Sequence, residues 1–349
     1  MKIRGIGRIR RGALSLKGRF TRRVVILLYH RVTEFTLDPH LLCVTPEHFA
    51  EHLEMLRSQY RVTKLDRLVH AVQEGDLSSR GVVVTFDDGY ANNLSNAKPL
   101  LERYDVPATV FVTAGYVGGE GEFWWDELDR LLLQPGTLPE TLRLSLNGTT
   151  YQWELGEVAH YSEDAFRSHF RWNVLEKDNP PSPRQRLYFT LHQLLRPLPK
   201  EERKEILDEL LAWAGAQTMA RPTHRTLSPD EVVQLIEGGL IQVGAHTVSH
   251  PVLSALPAAA QRAEIQEGKA RLEEILGHSV TSFAYPYGSR SDYTSETVTA
   301  VREAKFTCAC SNFAGVVWRG IDHFQLPRFV VRDWNGEEFS RRLWEWFRS

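Results

Sequence analysis

Two adjacent carboxylates, Asp87 and Asp88, follow an apolar run in the stretch Thr85-Phe86-Asp87-Asp88-Gly89. Like charges held side by side raise each other's pKa. A divalent cation relieves the repulsion by neutralising one carboxylate, which leaves the other free to work as a base. Asp-Asp-Gly is also ordinary turn chemistry. Two histidines, His246 and His250, stand four apart directly after Ile241-Gln242-Val243-Gly244-Ala245. On a helical turn that spacing puts both imidazoles on one face, within reach of one metal, although two packed histidines give the same pattern. Asp88 with the two histidines makes three protein ligands and leaves a coordination position for water and substrate, as catalytic zinc sites require. A third group, Phe283-Ala284-Tyr285-Pro286-Tyr287-Gly288, is a strand end running into a turn. Such a turn can aim a backbone N–H at a developing oxyanion, or can be an aromatic turn and nothing more.

All three groups fall at the C-terminal ends of predicted strands, where α/β barrels and open sheets carry their sites. Residues 24–30 (VVILLYH), 81–89 (GVVVTFDDG) and 107–113 (PATVFVT) read as buried strands, with a helix over Lys98–Tyr104. Thr45-Pro46-Glu47 caps a further helix. Strand, helix, strand at this spacing argues for parallel βα units. The rhythm breaks between 118 and 225, a Trp-rich and largely helical stretch with helices at 123–133 and 201–214 and a hairpin around Asn147-Gly148. It resumes at Ser228, whose capping box with Glu231 opens a helix ended by Gly238-Gly239. Strands at 241–246, 279–286 and 306–311 alternate with helices at 257–277 and 291–305, and a last helix covers 337–347. The organisation expected is a basic arm (1–23), the first part of an α/β domain (24–117), an insertion or cap (118–225), and the second part with its closing helix (226–349). Of Trp124, Trp125 and Trp153, at least two are expected to pack the insertion and not to stack on ligand.

Composition narrows the classes. With 349 residues, 42% hydrophobic, 25% charged and a net charge of −2, the chain is an ordinary globular protein without a field that draws it to nucleic acid. The three cysteines, Cys43, Cys308 and Cys310, form neither a disulfide framework nor a zinc ribbon and are expected to pack in the core of a protein from a reducing compartment. The first 23 residues hold nine Lys and Arg and no acid, broken by glycines, which fits neither a secretory signal nor a membrane span. The expectation is a cytoplasmic protein, with the arm as a peripheral attachment to an anionic membrane surface or as a tail.

T-F-D-D-G, H-T-x-x-H and the Y-P-Y-G turn, in this order, resemble the polysaccharide deacetylases of carbohydrate esterase family 4 across roughly 24–117 and 228–331. The resemblance implies a distorted, incomplete (β/α) barrel and hydrolysis of the N-acetyl group of a polysaccharide, oligosaccharide or lipid-linked glycan. It implies Asp87 as general base, Asp88, His246 and His250 as ligands of a divalent metal, usually zinc, and the Tyr287 N–H in the oxyanion hole. Two features depart from the common pattern. Ala284 stands where many members have the arginine that orients the base, and Arg328 in Leu326-Pro327-Arg328 is the expected substitute. The late L-x-H that supplies the general acid is missing, whereas Leu28-Tyr29-His30 carries that motif at the first strand. The sequence is similar to circularly permuted members of the family, which makes His30 the expected acid and His323 its rival. The same machinery on an O-acetyl ester or a cyclic amide, an inactive glycan-binding protein and a two-carboxylate glycosidase are the alternatives.

Overall fold

The computed structural model describes residues 23–77, 80–119, 121–176, 178–216 and 220–349. Seven strands build its central sheet: β1 (Val24–Tyr29), β2 (Gly81–Phe86), β3 (Ala108–Val112), β4 (Ile241–Ala245), β5 (Ser282–Ala284), β6 (Cys308–Cys310) and β7 (Phe329–Val330). Their order is β6-β5-β4-β3-β2-β1-β7, and every pairing along it is parallel. A short eighth strand, Arg61–Val62, pairs with the start of β2. β1 and β2 are buried at every position, which is why both are unbroken apolar runs: a parallel sheet has helices on one side and a packed interior on the other. The sheet curls until its margins approach. Leu326 donates to Ala309 O and accepts from the Ser311 amide beside β6, and three residues later the same segment pairs with β1 as β7. The result is an incomplete (β/α) barrel. Only the middles of the apolar runs 279–286 and 306–311 pair, so β5 and β6 have three residues each.

The register sets the site. β1 and β2 run level from Val24 opposite Gly81 to Tyr29 opposite Phe86, so His30 and Asp87 leave neighbouring strand ends together. The Asp87 amide donates to Tyr29 O, and the His246 amide to Val112 O.

Between β3 and β4 the chain forms a second apolar cluster of its own, from Phe123 and Trp124 through Tyr188 to Leu211. Helices Trp124–Leu132, Pro183–Leu195 and Lys200–Ala214 supply most of it. The hairpin of Thr141–Leu146 with Thr149–Glu154 turns on Asn147 and Gly148, both at positive φ (52° and 76°), the geometry Asn-Gly favours. Trp124 and Trp125 are buried, whereas Trp153 is half-buried and stacks on Tyr151. Cys43, Cys308 and Cys310 are free and buried. Among the described residues no helix is long and apolar enough to cross a membrane. The basic arm, apart from Arg23, lies outside the described residues.

Candidate metal centre and catalytic pocket

A cavity of about 200 Å³ opens at the C-terminal ends of the strands. His30, Asp87, Asp88, His246, His250 and Tyr287 all line it. Asp88 Oδ1 lies 3.6 Å from His246 Nε2 and 3.4 Å from His250 Nε2, and the three ligand atoms sit within 4.8 Å of one another. Their chemistry fits a divalent cation. His246 Nδ1 is 2.8 Å from the Ala284 carbonyl, so Nδ1 carries the proton and Nε2 presents its lone pair to Asp88. Burial pushes both imidazoles toward the neutral form that binds metal. Burial, with Asp87 and Asp126 close by, holds the Asp88 carboxyl well above the usual carboxylate range, a penalty that a cation removes. One other described cluster, Asp126, Asp129 and His224, has metal-like spacing. There Asp129 already accepts from Arg221 at 2.7 Å and Asp126 from the Tyr90 hydroxyl at 2.6 Å, so its carboxylates are spent.

The histidines do not sit on a helical turn, contrary to what their spacing suggests. Residues 246–250 form an irregular turn in which Thr247 and His250 have positive φ (66° and 56°). That strained backbone is held from the helix Ala258–Leu276. Glu264 accepts from the Val248 and Ser249 amides and from the Ser249 hydroxyl, and Thr247 Oγ1 accepts the His250 amide. One turn further on, a Cβ at Gly268 would stand 2.8 Å from the Thr247 carbonyl carbon, so a glycine is required for the helix to approach this closely.

Arg328 is fully buried and grips Asp87 through both Nη atoms, each 2.7 Å from a carboxylate oxygen. Its Nε donates to Ser311 O and its Nη1 also to Thr85 Oγ1, which fixes the guanidinium in the plane of the carboxylate. Burial alone would raise the Asp87 carboxyl, but Arg328 and then His246 draw it below its ordinary value. The two neighbouring carboxylates are thereby driven in opposite directions, the pattern that separates a base from a ligand.

His30 faces the same cavity, and its carbonyl accepts from Asn93 Nδ2. It is not the unperturbed imidazole expected of a strand-end histidine. Burial pushes it down to about 3 against the pull of Asp87, with Arg332 and Arg328 adding to the depression. His323 stands outside the cavity, its ring against Phe324. Tyr287 has φ 59°, a left-handed turn followed by Gly288 at 68°, and its ring packs edge-on against His250.

Residues that the sequence did not single out also line the cavity: His40, His192, Asn312 and Arg332. His192 and Trp125 come from the segment 118–225, which therefore reaches the strand ends. Trp125 packs edge-on to His250 and donates to the Tyr90 hydroxyl, which in turn donates to Asp126.

The chain matches the polysaccharide deacetylase family profile over residues 74–137 and 205–309, two blocks that carry Asp87, Asp88, His246, His250 and Tyr287. Over those residues it carries a polysaccharide deacetylase domain. The break between the blocks falls inside the helical insertion. YxkH of Bacillus subtilis (strain 168) is 28% identical over 142 residues, 39% of this chain and 49% of that protein. A poly-beta-1,6-N-acetyl-D-glucosamine N-deacetylase of Staphylococcus aureus (strain MSSA476) is 31% identical over 78 residues, 22% of this chain and 27% of that one. The matched stretch thus spans about half or less of these curated relatives. In fold, the Streptococcus pyogenes deacetylase PplD in complex with acetate superposes with a TM-score of 0.56 at 15% identity, over 92% of this chain and 98% of that one. IcaB from Ammonifex degensii superposes with a TM-score of 0.56 at 19% identity, over 94% and 98%.

Proposed function

We propose that the chain is a metal-dependent hydrolase that removes the acetyl group from an N-acetylated sugar of a polysaccharide or oligosaccharide. The observation that carries this reading is the Asp87–Arg328 ion pair set beside the Asp88, His246 and His250 cluster in one cavity. A divalent ion held by these three residues, zinc by the character of the donors, would supply Lewis acidity, polarising the acetyl carbonyl and bringing the pKa of water toward about 7. Asp87, kept ionised by Arg328, accepts the proton of the attacking water. The Tyr287 N–H, presented by the left-handed turn, donates to the oxyanion that develops on the acetyl oxygen. His30 protonates the departing amine. Because burial disfavours a stored imidazolium, His30 relays to the amine the proton that Asp87 took from water, and Asp87 returns to the carboxylate. The bonds balance as amide plus water to acetate plus amine. The basic residues 1–23 are proposed to hold the enzyme at an anionic membrane surface, where lipid-linked glycans become candidate substrates.

The test is acetate release from N-acetylated and O-acetylated sugars by zinc-loaded protein. Turnover of the N-acetyl series with little on the O-acetyl series is expected. Preference for the ester would reassign the same machinery to an esterase, and metal-loaded protein with no turnover on either series would overturn the reading.

A further inference from the structure

Asp87, gripped by Arg328, and the three candidate ligands account for part of the cavity lining and are explained by hydrolysis. Another part is not: Arg332, His192 and His40, from three distant parts of the chain. Arg332 donates through Nη1 to the carbonyls of His40 and Leu41. Among the described residues it has no carboxylate within 4.0 Å, in contrast to Arg328, which is paired with Asp87. Asp38, the acid that acts on it, spends both oxygens on the Leu42 and Cys43 amides. His192 is 8% exposed and stacks on Trp124, yet its Nδ1 has no hydrogen-bond partner. Its ring centroid lies 4.4 Å from that of His40, whose Nε2 is taken by the Tyr188 hydroxyl.

A buried polar atom without a partner and a cation without a counter-ion are both costly, and they are retained where a ligand completes them. Their chemistry is complementary. The guanidinium attracts an anion and the Nδ1 of His192 offers a hydrogen bond. With a divalent ion bound, no uncompensated negative charge would oppose this, because Arg328 pairs with Asp87 and the ion would outweigh Asp88.

We propose, resting on the deacetylase reading above, that Arg332 and His192 form an anion subsite. They would select an acetamido sugar whose carboxylate or phosphate substituent, on the same or the adjoining residue, faces away from the acetyl group. The sugar would then be gripped at two points, its acetyl oxygen at the candidate metal centre and its anion at Arg332 and His192, which aligns the scissile bond.

The experiment compares kcat/KM of the zinc-loaded full chain on three substrates: a neutral N-acetylglucosamine oligomer, the same oligomer bearing a glucuronate, and N-acetylglucosamine phosphate. One of the anionic substrates is expected to exceed the neutral one by about 10-fold or more, the worth of a hydrogen bond to a charged group. The advantage should shrink as salt rises. Carboxylate and phosphate arms identify the source of the charge. In Arg332→Gln and His192→Phe the ratio of anionic to neutral kcat/KM should fall toward one, a readout that general loosening of the pocket would not move. Turnover of the neutral oligomer with no anionic preference, or a preference unchanged in both variants, would overturn the subsite and leave the deacetylase reading intact. No turnover on any of the three would sink that reading instead.

Discussion

Replacing Arg328 by Met tests the centre of the site most sharply. The side chain is fully buried and makes four hydrogen bonds, two to Asp87 and one each to Thr85 and Ser311. Removing it strands the Asp87 charge in the interior, and breaking a buried pair from one side costs about 3–5 kcal/mol. At about 2 °C per kcal/mol for a chain of this size, the melting temperature should fall by about 6–10 °C. The stranded carboxyl also loses both the group that draws its pKa down against burial and the fork that orients it, so kcat should drop by ~10²–10⁴. Asp87→Asn should be similarly inactive, and it leaves Arg328 uncompensated while sparing the metal. The double variant removes both charges at once. It should recover about 2–3 kcal/mol relative to the sum of the single variants, without reaching wild type, because the bonds to Thr85 and Ser311 are still absent. Thermal or urea unfolding of the four proteins closes the cycle, with acetate release measured in parallel. If the single effects add to within about 0.5 kcal/mol, the two residues are not coupled and the orienting role of Arg328 fails. An Arg328→Met enzyme with undiminished kcat would refute it equally.

Three further outcomes follow from the same geometry. His246→Ala and His250→Ala should each lose bound zinc, measured by elemental analysis against about one ion per wild-type chain, since two protein ligands hold it poorly; full retention in both would disprove the ligand assignment. His30→Ala should keep its metal and lose about 10²-fold in kcat, whereas His323→Ala should be mild, and the reverse order would transfer the acid to His323. Deleting residues 2–20 should abolish sedimentation with anionic liposomes and leave turnover of a soluble substrate unchanged, because Arg23 precedes β1 at the end of the barrel opposite the cavity; undiminished sedimentation would refute the arm's role.

What could be read from residues alone was what depends on short-range pattern. Apolar runs marked the buried strands, Asn147-Gly148 marked the hairpin, and Ser228 with Glu231 marked a capping box that the structure contains. Strand ends located Asp87, Asp88, His246, His250 and Tyr287 because a parallel sheet delivers all its C-terminal ends to one face. Chemistry that depends on long-range approach was less visible. His40 and His192 are 152 positions apart and meet only through packing around Tyr188 and Trp124. Arg332, two residues past β7, carries no local pattern that marks it. The His246–His250 spacing was mistaken for a helical turn because local pattern does not register Glu264 and Gly268, which hold the irregular turn from another helix. Similarly, the depression of His30 follows from its burial in the folded protein, with Arg332 and Arg328 adding to it, and none of this is written in its own segment.

The place of His30 rests on the position of β1, and that position is itself testable. β1 lies between β2 and β7, and the segment leading into β7 also bonds to β6. β1 therefore lies next to the seam, where the segment leading into β7 approaches β6, and it is joined to the rest of the barrel by lateral bonds on both sides. A strand at such a seam can enter from either end of the chain with its side chains unmoved. Here the two ends of the described chain meet: Arg23 Nη1 donates to the carbonyls of Phe347 and Ser349. A linker of about six residues, at up to about 3.5 Å each, spans an arginine side chain's length comfortably. Glu34, Phe35 and Thr36 are exposed, so a new start there cuts no core contact. A chain that begins at Glu34 and carries residues 23–33 after Ser349 should fold, bind about one zinc ion and retain kcat within about 10-fold of the parent, since β1 contributes packing and His30 from the same place. The His30→Ala change should then lower kcat by about 10²-fold in the permuted chain, the same loss expected in the parent. A permuted chain that melts cooperatively and binds zinc but has lost turnover would show that His30 acts through its connection to the N-terminal segment, and a chain that cannot fold would show that β1 needs its covalent neighbours to pair.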